Sequence, residues 1–314
     1  MSFLEILLDA RSAKERKKKQ ACAILITVTA ILLVIAIIAF AICQVVDATS
    51  DKTPADDEPT EEAPINLGTT TSKVLSEEAK YTGNLLTLNK TERYKGNAKV
   101  VNLQERSDRP KNDSGDNSYT VLKDSRKYFH ATEATAAALN KMLKAFYDAK
   151  KDDNLFIANA YNSNEIGTQD AIFSSGEAIA LSYFHDYATT QSINDQRSIA
   201  NVDTYKWIYA NAHKYGFVAV SASSNVFKYV GVTHATAAKA NGLYLDNYLK
   251  QLKGATAEAP MKLDAAGNYI AYTCPIANVV VPTNYSYEYS GNNVDGVIVT
   301  VNLKSATSSD IITE

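Results

Sequence analysis

Three stretches decide the fold: Tyr-Lys-Trp-Ile-Tyr-Ala-Asn-Ala-His-Lys-Tyr-Gly-Phe (205–217), Asn-Val-Phe-Lys-Tyr-Val-Gly-Val-Thr-His-Ala (225–235) and Leu-Tyr-Leu-Asp-Asn-Tyr-Leu (243–249). In the first, Trp207, Ile208 and Tyr215 recur at helical spacing and predict a buried face. Asp203 stands where a helix cap is expected, and Gly216 suits the left-handed residue that closes a helix. Residues 217–220 and 225–230 then read as a strand pair, and a helix is expected over 234–252.

Outward from that centre the signals are mixed. Thr132 is a plausible N-cap for a helix whose Leu139, Met142, Leu143, Phe146 and Tyr147 share one face. Residues 155–160 read as a short strand, as do 85–88 and 99–103, while 106–117 is a polar loop. Beyond Pro260 the pattern is β: strands over 269–274, 278–281, 285–289 and 297–303, with a Gly-Asn-Asn turn at 291–293. Helices in the middle with strands around them predict a single α+β domain over 121–304, the last part a β extension. Residues 83–120 are its entry segment and 305–314 a tail.

The N-terminal part is of another kind. Residues 21–43 contain no charge and are mostly Ala, Ile, Leu and Val. At 1.5 Å per residue they span about 35 Å, enough for a hydrocarbon core of about 30 Å, so residues 21–46 predict a retained transmembrane helix. Ile42 before Cys43 is too bulky for a lipoprotein signal. Arg11, Lys14, Arg16, Lys17, Lys18 and Lys19 precede the span, and Asp47, Asp51, Asp56, Asp57, Glu58, Glu61 and Glu62 follow it. That asymmetry predicts a cytoplasmic basic tail (1–20) facing lipid headgroups and an extracellular C-terminal domain on a single-pass anchor. Residues 47–82, acidic and poor in large apolar side chains, read as a disordered stalk. The net charge of −3 gives no support to nucleic-acid binding. Of three cysteines, Cys22 and Cys43 flank the span, which leaves Cys274 alone outside and no disulfide framework.

The helix, glycine turn and strand pair resemble the catalytic half of VanY-type D-alanyl-D-alanine carboxypeptidases, zinc enzymes of bacterial cell walls. Trp207, Asn211, Tyr215, Gly216, Phe217, Gly231, His234 and Ala235 carry the likeness. The resemblance implies zinc with three protein ligands, a carboxylate base and an Arg for the substrate carboxylate. Its first segment, Ser-x-His-x-x-Gly-x-Ala-x-Asp, falls on 173–182, where Ser175 and Ser182 stand in the ligand positions. Its second, Glu-Pro-Trp-His-Phe-Arg-Tyr-Val-Gly, falls on 223–231, with Ser223 at the base position and Val226 at the third ligand. Phe227, Tyr229, Val230 and Gly231 match there, and Lys228 is a basic replacement. Its third, Ser-Gly-Tyr-Arg-Ser, falls on 159–163: Tyr161 and Ser163 match, but the Arg is Asn162, which lacks the charged fork that holds a carboxylate.

All five chemical positions are therefore altered while the framework persists. No metal is expected, and a degenerate substrate cleft is predicted around Tyr161, Asn162, Ser163, Ser175, Ser182, Lys228 and Tyr229. His185 and Asp186 are ligand types, but two residues do not replace three ligands. His213 is expected at the surface, His234 in a packing role and His130 in a loop. The serine runs at 174–175 and 221–224 lack any nucleophile motif. Among 19 tyrosines, Tyr161, Tyr183, Tyr187 and Tyr229 are candidates for the cleft wall. The reading is a membrane-anchored pseudoenzyme that binds peptidoglycan stem peptide or an envelope protein. The alternative is an active zinc D,D-carboxypeptidase with a displaced metal site.

Overall fold

The computed structural model describes residues 65–121, 128–165, 167–184 and 198–305; the predicted basic tail, membrane span, His185, Asp186 and Tyr187 lie outside them. Among the described residues no helix is long and apolar enough to cross a membrane. In chain order, β1 (Thr70–Lys73) is followed by β2 (Val100–Asn102), β3 (Thr120–Val121) and β4 (Phe129–Thr132). Helix α1 (Glu133–Lys150), β5 (Leu155–Asn159), β6 (Tyr161–Asn162) and β7 (Ala178–Tyr183) come next. Then come α2 (Lys206–Asn211), β8 (Phe217–Ala219), β9 (Val226–Tyr229), α3 (Val232–Ala240) and α4 (Leu245–Gly254). Strands β10 (Met261–Lys262), β11 (Tyr269–Pro275), β12 (Val279–Pro282), β13 (Ser286–Gly291) and β14 (Gly296–Asn302) complete the set.

Two sheets dominate this mixed helix-and-sheet architecture. A five-stranded sheet runs β3-β5-β7-β9-β8, antiparallel except for β3 with β5. One face packs Leu155, Ile157, Ile179, Leu181 and Phe227 against Leu139, Met142, Phe146 and Ile208 of α1 and α2. The other face carries Phe156, Ala158, Ala178 and Ala180, which pack with Phe173. Strands buried on both faces read as continuous apolar runs rather than alternations, as Leu155–Asn159 and Ala178–Tyr183 do. The second sheet, β10-β11-β14-β13, holds α3 and α4 on one face through Ala271 and Ile298. On its other face Ile270, Tyr272, Val297, Val299 and Val301 meet Val279 and Val281 of β12.

Local signals mostly hold. Thr132 caps α1, its Oγ1 accepting from Thr135 N at 3.3 Å. Gly216 closes the helical segment at φ 86°, a conformation that costs glycine nothing. Five expectations need correction. The predicted stalk is folded from residue 65 onward: β1 pairs with β12, and a single 3-10 turn, Glu77–Tyr81, follows it. All four β1 side chains are exposed, so its strand character comes from backbone pairing with no apolar pattern to announce it. Residues 85–88 are not a strand, although Leu85, Leu86 and Leu88 are buried. The long helix expected over 234–252 is two helices, broken where Gly242 turns left-handed at φ 64°. Asp203 caps nothing and instead pairs with Lys206 at 2.7 Å. His130 lies in β4, not in a loop.

Candidate functional site

The register of β5, β7 and β9 sets the site. Ala178 faces Lys228, Ala180 faces Val226, and Ser182 faces Phe156 across the strands. Paired residues share a face, so two of the three positions the resemblance assigns to metal ligands, Ser182 and Val226, lie together. They lie on an apolar face. Phe156, Ala158, Phe173, Ala178 and Ala180 form a buried cluster there, with Phe184 and Val226 packed against it. The Phe156 and Phe184 rings sit 4.7 Å apart. Ser175, at the third position, donates its Oγ hydrogen to Glu177 Oε2 at 3.0 Å. Ser223, at the base position, is exposed on a turn, its carbonyl accepting from Ser198 Oγ at 3.2 Å. Zinc needs imidazole, thiolate or carboxylate donors, and the residues at these positions do not fit it. Among the described residues no three His, Cys, Asp or Glu side chains gather to hold a metal ion.

The structure instead builds a buried ion pair, which sequence reasoning missed. Lys228 is 0% exposed and Glu177 6%. The ammonium donates to Glu177 Oε2 at 2.5 Å, on the oxygen that also accepts from Ser175. Burial pushes the Glu177 carboxyl above its ordinary range, and the Lys228 charge and both hydrogen bonds pull it back. The sequence signal was a lone charge, Glu177, at the head of the apolar run Ala178–Tyr183. Its partner, 51 residues away, becomes apparent only through the β7–β9 register.

Glu177 also lines open space. A cavity of about 700 Å³ is bounded by Tyr81, Tyr94, Lys95, Lys99, Ser175 and Glu177. A second, of about 330 Å³, shares Gly83, Thr132 and Glu177 with it and adds Tyr229, His234, Glu288 and Tyr289. A third, of about 250 Å³, continues past Glu288 and Thr300. The segment over the first two is tied at both ends. Gly291 N donates to Thr82 O at 2.6 Å and Asn293 Nδ2 to Arg93 O at 3.2 Å, while Arg93 Nη1 donates to Gly167 O at 3.1 Å. Burial, then the Glu177 charge, raises the Tyr94 phenol to about 12, so it is a neutral donor at the cleft. His234 is held between Tyr248 Oη (2.7 Å) and Thr300 Oγ1 (2.8 Å), and burial lowers it to about 4. It is therefore neutral near pH 7, in the packing role expected of it.

Of the predicted cleft residues, Ser175 and Tyr229 line these cavities and Lys228 backs them. The rest are elsewhere. Tyr161 stands edge-on to His130 at 6.2 Å, and Tyr183 packs on Tyr205 at 4.8 Å. Asn162 is buried, its backbone N–H donating to Gln169 Oε1 and its Oδ1 accepting from Asn164 N, while Ser163 is exposed. His213, expected at the surface, is half-buried beside a small cavity because the 3-10 turn Ala212–Tyr215 that carries it packs against β8 and α3.

No family model matches the chain. A D-alanyl-D-alanine carboxypeptidase from Enterococcus faecium is 30% identical over 265 residues, 75% of this chain and 82% of the relative. Among solved structures, the vancomycin-resistance D,D-dipeptidase VanXYg, in complex with a D-Ala-D-Ala phosphinate analogue, aligns at TM-score 0.53 and 20% identity. That alignment covers 75% of this chain and 100% of the other, and it shows a shared fold. VanYB in complex with D-alanine-D-alanine aligns at TM-score 0.33 and 14% identity, over 54% of this chain and 99% of its own. By sequence likeness over most of both chains, this protein belongs to the VanY-type D-alanyl-D-alanine carboxypeptidase family.

Proposed function

We propose that this protein is a catalytically inactive member of its family, anchored outside a bacterial cell membrane by residues 21–46, that binds peptidoglycan stem peptide in the cleft over Glu177. The observation that carries the reading is the filled face around Val226 and Ser182. Phe156 and Phe173 pack where the family's metal would need donors, and Val226 offers none. With Ser223 in place of the base and Asn162 in place of the Arg, neither water activation nor carboxylate capture has its residue. The open space over Glu177 leaves room for a peptide, which suits binding without turnover. Stem peptide is favoured because the Enterococcus relative is named for D-alanyl-D-alanine and VanXYg was solved with an analogue of that dipeptide.

Zinc analysis of the purified full chain, paired with D-Ala release from a stem pentapeptide and calorimetric binding of that peptide, tests this. The expected result is saturable binding with neither stoichiometric zinc nor release. One zinc per chain with chelator-sensitive release would establish the active zinc carboxypeptidase instead. Absence of binding would sink the peptide reading and turn attention to an envelope protein.

A further inference from the structure

The second cavity differs in charge from the first. The 700 Å³ space has Lys95 and Lys99 on its wall, whereas the 330 Å³ space is lined by Glu177 and Glu288 and by no lysine or arginine. Its one histidine, His234, has both ring nitrogens engaged by hydroxyls. Lys228 offsets Glu177 from behind, but Glu288 has no ion-pair partner among the described residues, so one negative charge is uncompensated. Among the described residues, both hydrogen bonds to the Glu177 carboxylate fall on Oε2, which leaves Oε1 as the oxygen available to an occupant. Glu177 is nearly fully buried, so a hydrogen-bond donor met there is worth more than one met in water. Two tyrosines, Tyr229 and Tyr289, add aromatic surface. Tyr229 lines this cavity together with both carboxylates, and burial and then the charges of Glu288 and Glu177 raise its phenol.

We infer that this second cavity is a subsite for a primary ammonium group, held between Glu177 and Glu288 with its methylene stem against Tyr229 and Tyr289. A carboxylate pair supplies charge-assisted acceptors and the rings supply cation–π faces. On the stem-peptide reading, the part of that peptide recognised here is a free amine, either the side chain of a diamino acid or an N-terminus. The family's recognition of a terminal carboxylate through Arg, lost at Asn162, would thus give way to recognition of a cation.

Titration of the full chain with three lysine amides separates the cases. One carries a free ε-amine (Nα-acetylated), one a free α-amine (Nε-acetylated), and one is acetylated at both. One free amine should bind saturably and the doubly acetylated compound about tenfold more weakly or worse, the size of a lost charge-assisted hydrogen bond. Which amine binds identifies the source. Glu288→Gln, an exposed substitution that leaves the fold alone, should weaken the binding amine several-fold. Equal binding of all three, no binding of any, or indifference to Glu288→Gln would overturn the subsite. A stem pentapeptide that binds equally with its side-chain amine free or acetylated, while its N-terminus is blocked, would remove the subsite but keep the stem-peptide reading. An amine that binds where the pentapeptide does not would do the reverse.

Discussion

Lys228 and Glu177 form a fully interior ion pair, and such pairs are costly to break because removing one partner strands a charge. Lys228→Met should destabilise the domain by about 3–5 kcal/mol near pH 7. The cost should depend on pH with a definite sign. Burial holds the Glu177 carboxyl above its ordinary value, so its protonated form is the one that folding favours. Its contribution is fully present below the unfolded value of 4.5 and is lost as pH rises through the folded one. Without Lys228 the folded value climbs further. The gap between wild type and variant should therefore be small near pH 4 and grow toward pH 7, and Glu177→Gln added to Lys228→Met should recover most of it. Urea unfolding across that range measures this, and a flat difference of less than about 1 kcal/mol would show the pair to be energetically idle.

At the scale of elements, the telling piece is the segment from the Glu77–Tyr81 turn to Arg93 that lies over the cavities. Gly291 permits its approach, since a Cβ there would collide with the Lys80 and Ala79 carbonyls, and Asn293 N donates to Lys80 O at 2.8 Å. Gly291→Val should leave the β13–β14 pairing standing but lift this segment, at a cost of about 1–3 kcal/mol for the overpacking. Limited proteolysis should then cut within residues 77–96 many times faster than in wild type, with later cuts unchanged; equal cutting rates would mean the segment is held elsewhere. Little of this was legible in the sequence. Asn293 and Arg93 are bonded 200 residues apart, and β1 finds β12 through backbone groups alone. Thr132 and Gly216, by contrast, act on residues next to them, and their roles could be read directly. The β9 segment is legible for a similar reason, within the expected strand 225–230, whereas β7 is not read as a strand and Lys228 reads as a mere basic replacement. Its meaning depends on Glu177, which only the sheet register brings to it.

Across the whole molecule, the framework residues of the family hold α2, β8, α3 and the turns between them, while two altered positions, Ser182 and Val226, meet on one apolar face of the first sheet. If that face was refilled as a unit, restoring the donors alone will not restore the metal. The set Asn162→Arg, Ser175→His, Ser182→Asp, Ser223→Glu and Val226→His returns the three ligands, the base and the Arg that the resemblance calls for. It also pushes a carboxylate and an imidazole into the cluster around Phe156 and Phe173, which should lower stability by several kcal/mol without metal. Zinc should be taken up well below one per chain, because Phe173 still occupies the position where the family has Ser. Adding Phe173→Ser should raise occupancy toward one and make the melting temperature climb with zinc, by up to about 4 kcal/mol of stabilisation at a thousandfold excess over the dissociation constant. Metal analysis and thermal unfolding of the five- and six-substitution chains, each with and without zinc, check this. Full zinc loading of the five-substitution chain would mean that the apolar cluster yields readily, and that the ligand changes by themselves account for the missing site.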